Sequence, residues 1–301
     1  MKKMFSLMAV AAVLATQSET EASFAYVPLE ARIASAQHVV LGKIDRLDGF
    51  VQLHNRKYQV GVIEVRKVFK GAKGLDRVKL AWPAREKFAV STDISYRVGQ
   101  EGLWILHRDR MAKDLYRASY PSDYQPLAKL KDFERRLQNL AAIQWSPSVN
   151  GLQIGLIAEV RDARNLKIRV QGKSVKAVAY ATVYPLVRNI SDKIRHFAYH
   201  YPDDPLRVEL RGPDGAKIAV KSGRFNPNSP PPIKSTFRAI SPGTTMMLGY
   251  GLALPHFLDK GVYSVGVQFS TQRDGRRVGI ANAWKGELSS KLVRMVAPPE
   301  K

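Results

Sequence analysis

The sequence predicts a mostly β protein: a small barrel closed by one amphipathic helix, then an antiparallel β-sandwich. Three observations carry that prediction. Apolar and polar side chains alternate with a period of two in segment after segment of the 301 residues. A single stretch, with Leu127, Leu130, Phe133, Leu137 and Leu140, steps by threes and fours, as one face of a helix does. Beyond Trp145 the alternating runs are short, separated by turn signals, and free of helical periodicity.

Taken in order, the chain opens on Lys2 and Lys3, an apolar run "MFSLMAVAAVLA" (Met4–Ala15), and small residues at Ala22, Ser23 and Ala25. Charged start, apolar middle and small-residue end describe a secretory leader, residues 1–25, whose apolar run is too short to span a bilayer. The expected location is therefore exported, periplasmic or extracellular, with no transmembrane segment in the mature chain. "PLEARIASA" (Pro28–Ala36) reads as a short helix with proline at its first position. "HVVLGKIDRL" (His38–Leu47) is a β-branched strand. "KYQVGVIEVRKVFKG" (Lys57–Gly71) carries apolar residues on both faces, the mark of a bent barrel strand with a bulge near Gly61. "DRVKLAW" (Asp76–Trp82) is a third strand, and "EGLWILHRD" and "LYRAS" form a hairpin pair. "YPSDYQPL" (Tyr120–Leu127) interrupts with two prolines before the helix, which runs from about Ala128 to Ile143 and ends a first domain of residues 26–143.

Residues 144–151 form a linker, residues 152–297 the sandwich and residues 298–301 a tail. Strands are expected at "LQIGLIAEV", "VKAVAYATVYPLV", "PLRVEL" and "KIAV". Three more are expected at "TTMMLGYGLAL" with Met246, Leu248, Tyr250, Leu252 and Leu254 on one face, at "GVYSVGVQF", and at "ELSSKLVRMV". "RNISD" and "GPDG" are turn signals, Asp274-Gly275 signals a hairpin, and the proline-rich "NPNSPPPIK" (Asn226–Lys234) must cross outside the sheets.

There is no cysteine, so no disulfide, thiolate metal site or cysteine nucleophile is available, and the fold must be held by its own core. Net charge is +22, and the leader's charges cancel. Residues 26–143 carry 22 Lys and Arg against 13 Asp and Glu, and residues 144–301 carry 24 against 11. An exported chain of this charge is drawn to anionic partners: an envelope polymer, an anionic surface or an acidic protein face, with no specific nucleic acid implied.

The second half resembles bacterial Ig-like β-sandwich modules. The likeness rests on "LVRNISD" (Leu186–Asp192), "LRGPDGAKI" (Leu210–Ile218), "ISPGTTMML" (Ile240–Leu248), "LDKGVYSVGVQF" (Leu258–Phe269) and "WKGELSSKLVRMV" (Trp284–Val296). The first half resembles the OB-like barrel of netrin-like and metalloproteinase-inhibitor domains through "SAQHVVLGKI", "VIEVRKVFKG", "VGQEGLWILHRD" and the terminal helix. Those inhibitors act through a cysteine-based N-terminus, which this chain lacks. The resemblance implies a fold and brings no functional residue with it.

Candidate site residues fall in three places. In "IRHFAYHYPDD", His196 and His200 are metal-ligand candidates. On a strand they point to the same side but stand about 13 Å apart, too far to share one ion; Phe197, Tyr199 and Tyr201 face the core instead. The densest basic stretch, with Arg161, Arg164, Lys167, Arg169, Lys173 and Lys176, is a polyanion-binding candidate and equally a charged strand edge that deters pairing. Tyr120, Asp123 and Tyr124 make a rigid amphipathic loop, suited either to a partner contact or to seating the helix on the barrel. The aromatics Tyr58, Phe69, Trp82, Phe88, Tyr96 and Trp104 fall mostly on apolar faces and read as core rather than as a base-stacking surface. No G-x-S-x-G elbow, glycine-rich phosphate loop or H-E-x-x-H helix is present, and no cofactor is called for. The expected function is a non-catalytic exported interaction module. The alternatives are a proteinase-inhibitor-like binder and a hydrolase with its site at the domain junction.

Overall fold

The computed structural model describes residues 27–53, 55–84, 94–109, 112, 114–118, 120–162, 168–170, 173–175, 179–199, 206–220, 233–249, 252–258 and 260–297. The leader, Phe88, Tyr201, Tyr250 and most of the proline-rich crossing lie outside these residues. The described chain is mostly β.

Helix α1 (Leu29–Ser35) leads into β1 (His38–Leu53) and β2 (Arg56–Lys70), a long antiparallel hairpin. β3 (Arg77–Pro83), β4 (Glu101–Arg108), β5 (Leu115–Arg117) and β6 (Tyr124–Pro126) complete the sheet, in the order β1-β2-β3-β5-β4-β6. β4 also pairs with β1, from His38↔Leu106 to Lys43↔Glu101, so five strands close on themselves. β3 and β5 run parallel, and the other pairs are antiparallel. Closure works because alternate side chains turn inward: Val40, Ile44, Ile63, Val78, Leu80, Trp104 and Leu106 fill the interior. Gly102 is needed where β4, β1 and β6 crowd together, since a Cβ there would lie 2.5 Å from the Gln125 carbonyl and 2.6 Å from the Tyr124 ring.

The hairpin carries register shifts on both sides of Gly61, where a bulge is expected, but the extra residues there belong to the partner strand. Near the tip, Ile44↔Ile63 is followed by Arg46↔Val62, and Leu47↔Gly61 by Phe50↔Gln59. The surplus therefore lies on β1, opposite Gly61, while nearer the barrel mouth it lies on β2. Helix α2 (Leu130–Ala141) lays Phe133 and the partly buried Leu130, Leu137 and Leu140 against the outside of the barrel. Leu127 leaves the predicted stripe. It lies in a 3-10 turn after Pro126 and is exposed.

The second half has β7 (Leu152–Asp162), the β8 (Ile168–Val170) and β9 (Lys173–Val175) hairpin, β10 (Ala179–Asn189), β11 (Arg195–Ala198), β12 (Leu206–Arg211) and β13 (Lys217–Ile218). β14 (Phe237–Ile240), β15 (Thr245–Met247), β16 (Leu252–Leu258), β17 (Gly261–Thr271), β18 (Gly286–Ser289) and β19 (Val293–Ala297) follow. β7, β15 and β16 pair with β10; β12, β18 and β19 pair with β17; β11 pairs with β14. One core joins the layers, with Leu152, Val183, Phe197, Leu210, Val265 and Phe269 among its fully buried members.

Two predicted single strands are broken. "TTMMLGYGLAL" divides into β15 and β16, which lie one after the other along the same partner, β10. Gly249 between them has φ +76, a left-handed conformation that no continuous strand accommodates. "ELSSKLVRMV" divides into β18 and β19, with the Ser290 hydroxyl accepting from the Val267 N–H at 2.9 Å between them. Asp274-Gly275 is not a two-residue hairpin, because β17 ends at Thr271 and its partner begins only at Gly286. Strands β6 and β14, three and four residues long, are too short for alternation to announce them.

The two halves are docked through α1. Ile33 and Ala36 pack on Val39, Leu103 and Ile105 of the barrel and on Phe133. Ala31 and Val27 pack with Tyr184 of β10, beside Ile157, Met247 and Tyr120. A seven-residue helix thus offers one face to each half.

Candidate binding surface

Polar groups that are buried need partners, and the most demanding set lies under α1. Asp123, fully buried, receives both arms of the Arg32 guanidinium, with Nε at 2.8 Å, and its Oδ2 accepts the Tyr120 N–H at 3.0 Å. The Tyr120 hydroxyl accepts the Val27 N–H at 3.2 Å. The Tyr124 hydroxyl donates to the Glu101 carbonyl at 2.9 Å, and its ring rests on Trp104. This loop therefore fastens the N-terminal helix to the barrel. Asp123, expected as a candidate partner contact, has no surface to offer one.

Two histidines flank the clasp. His38 Nε2 and the Tyr116 hydroxyl are 2.9 Å apart, and burial, Arg108 and Lys70 hold His38 below the usual imidazole range. Burial, Arg32 and Lys70 push His107 well below it. Lys70, lowered to about 8 by burial, donates to the Ile33 carbonyl at the end of α1. Both imidazoles take up protons at lower pH in the folded chain than in the unfolded chain, where they do so near pH 6.5. The unfolded state thus binds more protons below that pH. The histidines' share of stability is complete above about 6.5 and falls as the pH drops through it. Urea midpoints are expected to decrease between pH 7.5 and 5.5, and the decrease to shrink in His38→Gln/His107→Gln. An unchanged slope in that variant would assign the effect to other groups.

Of the metal candidates, His196 lies on β11, opposite Ala239 of β14 and bridged to Ala283, and its carbonyl accepts the Trp284 N–H at 2.6 Å. His200 lies outside the described residues. Among the described residues, no three His, Asp or Glu side chains gather as a metal site. Of the polyanion candidates, Arg161 is the last residue but one of β7 and pairs with Glu159 at 3.1 Å. Arg169 and Lys173 lie on the β8–β9 hairpin, where only the backbone is described, and Arg164, Lys167 and Lys176 lie outside the described residues.

A basic surface that no contiguous stretch of sequence announces forms at one end of the sandwich. It starts from Asn189, fully buried, whose amide donates to the carbonyls of Lys193 (2.7 Å) and Ile240 (2.9 Å). Its oxygen accepts from the Ser191 N–H and hydroxyl at 3.0 and 2.7 Å. The turn is also tied by Ile190 N–H to the Gly151 carbonyl, at 2.9 Å. So braced, it holds Ile190 and Ile194 in solvent, 52% and 55% exposed, with Lys193 exposed and Arg195 bonded to Ser191 Oγ at 3.2 Å. The connection from β17 to β18 arrives beside it. Trp284, 3% exposed, stacks on Phe269 and donates from Nε1 to the Val149 carbonyl at 2.8 Å. The next residue, Lys285, receives the Asn150 amide on its carbonyl (3.4 Å), while its Nζ reaches Asp274 at 3.5 Å. The Arg276 side chain and backbone hold the Asp274 carboxyl well below the usual carboxylate range. Arg276 and Lys285 share Asp274, Arg277 beside them is exposed, and Asn150 and Gly151 link this connection to the Asn189 turn.

At the junction of the two halves, a cleft of about 570 Å³ is floored by Leu140, Ile143, Leu156 and Leu292. Its carboxylates are both taken: Glu30 by Arg136 at 2.7 Å and Glu159 by Arg161. No described helix is long and apolar enough to cross a membrane. No protein-family model matches the chain, and a comparison with characterised proteins also finds no match.

Proposed function

We propose that this chain is an exported, non-catalytic interaction module that binds an anionic envelope partner through the basic end of its sandwich. The observation that carries the reading is the surface around Asn189, where cations from segments some 80 residues apart in sequence are held by buried anchors, Asn189 and Trp284. Preorganised charge raises encounter rate and specificity because little is lost in ordering it on contact. We read the barrel as OB-like, supported by its closed five-strand order, and the second half as Ig-like, supported by its two antiparallel layers over one core.

The test is salt-dependent retention on immobilised heparin. Lys193→Glu/Arg195→Glu/Arg277→Glu should elute at clearly lower salt than the parent, with unchanged circular dichroism. Equal elution would remove this end of the sandwich from the reading. A loss seen only on reversing Arg161, Arg169 and Lys173 would transfer the contact to the β8–β9 hairpin.

A further inference from the structure

We propose that the partner of this basic end is an anionic lipid bilayer, with Ile190 and Ile194 entering the headgroup region while Lys193 and Arg195 face the phosphates; this rests on the polyanion reading above. A soluble polymer accounts for the cations alone. It does not account for two isoleucines, each more than half exposed, on a turn whose backbone is held in three places by Asn189 and Gly151. Asn189 closes that turn onto the Lys193 carbonyl, so Ile190 and Ile194 flank the same small loop and cannot fold back on the core. Neither is among the residues packed against the sandwich core.

A bilayer surface offers both chemistries within a few ångströms of depth: anionic phosphates at the level of Lys and Arg, and acyl chains just below for branched aliphatic groups. Exposed apolar side chains on a loop that also carries Lys193 and Arg195 match that layering, and the chain's charge of +22 adds long-range attraction to an anionic leaflet. The turn is rigid before contact, so docking orders only side chains.

The full chain is sedimented with vesicles of phosphatidylglycerol and phosphatidylcholine (one to three), and with phosphatidylcholine alone. Binding to the anionic vesicles is expected, with little to the neutral ones. Ile190→Ser/Ile194→Ser should weaken vesicle binding by about tenfold or more while leaving heparin elution unchanged, because these side chains meet hydrocarbon and not charge. Lys193→Glu/Arg195→Glu should lose both. In Ile190→Trp, the indole emission should shift to the blue and be quenched by brominated acyl chains. Parent protein retained by heparin but not sedimented by anionic vesicles would overturn the lipid inference and leave a soluble polyanion as the partner. So would a serine variant that binds vesicles as the parent does. Failure on both heparin and vesicles would instead sink the underlying reading.

Discussion

Asp123→Ala is expected to destabilise the chain by about 3–5 kcal/mol, the loss seen when one partner of a buried ion pair is removed. The carboxylate is fully buried and Arg32 is 17% exposed, so the guanidinium left behind is neither neutralised nor well hydrated. The Tyr120 N–H also loses its acceptor. The damage should extend beyond the barrel, because Arg32 belongs to the helix whose other face meets Tyr184 of the sandwich. Replacing both partners, as Arg32→Met/Asp123→Leu, should recover much of the loss, since apolar groups of similar volume owe no desolvation. Urea denaturation of the two variants side by side measures this. A loss under about 1 kcal/mol in Asp123→Ala would mean that the pair behaves as a solvated surface bridge.

Trp104→Ala should cost a similar amount, about 3–5 kcal/mol, by a different route. The ring is fully buried, and its Nε1 donates to the Gly42 carbonyl at 2.9 Å across the β1–β4 seam. Its centroid lies 5.0 Å from Tyr96 and 4.8 Å from Tyr124. Removal opens a cavity where the barrel closes and frees a buried carbonyl. Phe50→Ala, at a side chain 59% exposed on the hairpin tip, is the control and should stay within about 0.5 kcal/mol. Equal effects at the two positions would show that the seam contributes nothing special.

Side-chain period locates the five closing barrel strands, helix α2 and most of the sandwich strands, because burial on one side imposes alternation or a helical step on any segment that pairs locally. It erred where the deciding contact was remote. "TTMMLGYGLAL" keeps perfect alternation, yet breaks at a glycine whose left-handed backbone only the coordinates reveal. The "YPSDYQPL" loop looked like an exposed amphipathic surface, and both possible roles fitted it. Arg32, 91 residues earlier, draws its Asp123 inside. The densest basic stretch, Arg161–Lys176, drew attention because it is contiguous. The basic end around Asn189 did not, since its cations come from two separate turns and only Asn189 and Trp284 bring them together. The "RNISD" signal announced a turn and nothing of what that turn presents.

By itself the sequence determined a cysteine-free, strongly basic, mostly β chain with one long amphipathic helix, because composition and side-chain period are properties of neighbouring residues. The tertiary structure alone decided that β4 closes on β1, that α1 joins the two halves, and that charges remote in sequence share one surface. Each of those rests on pairings between distant segments, where a hydrogen bond or a buried ion pair depends on which atoms meet and not on which residues are adjacent.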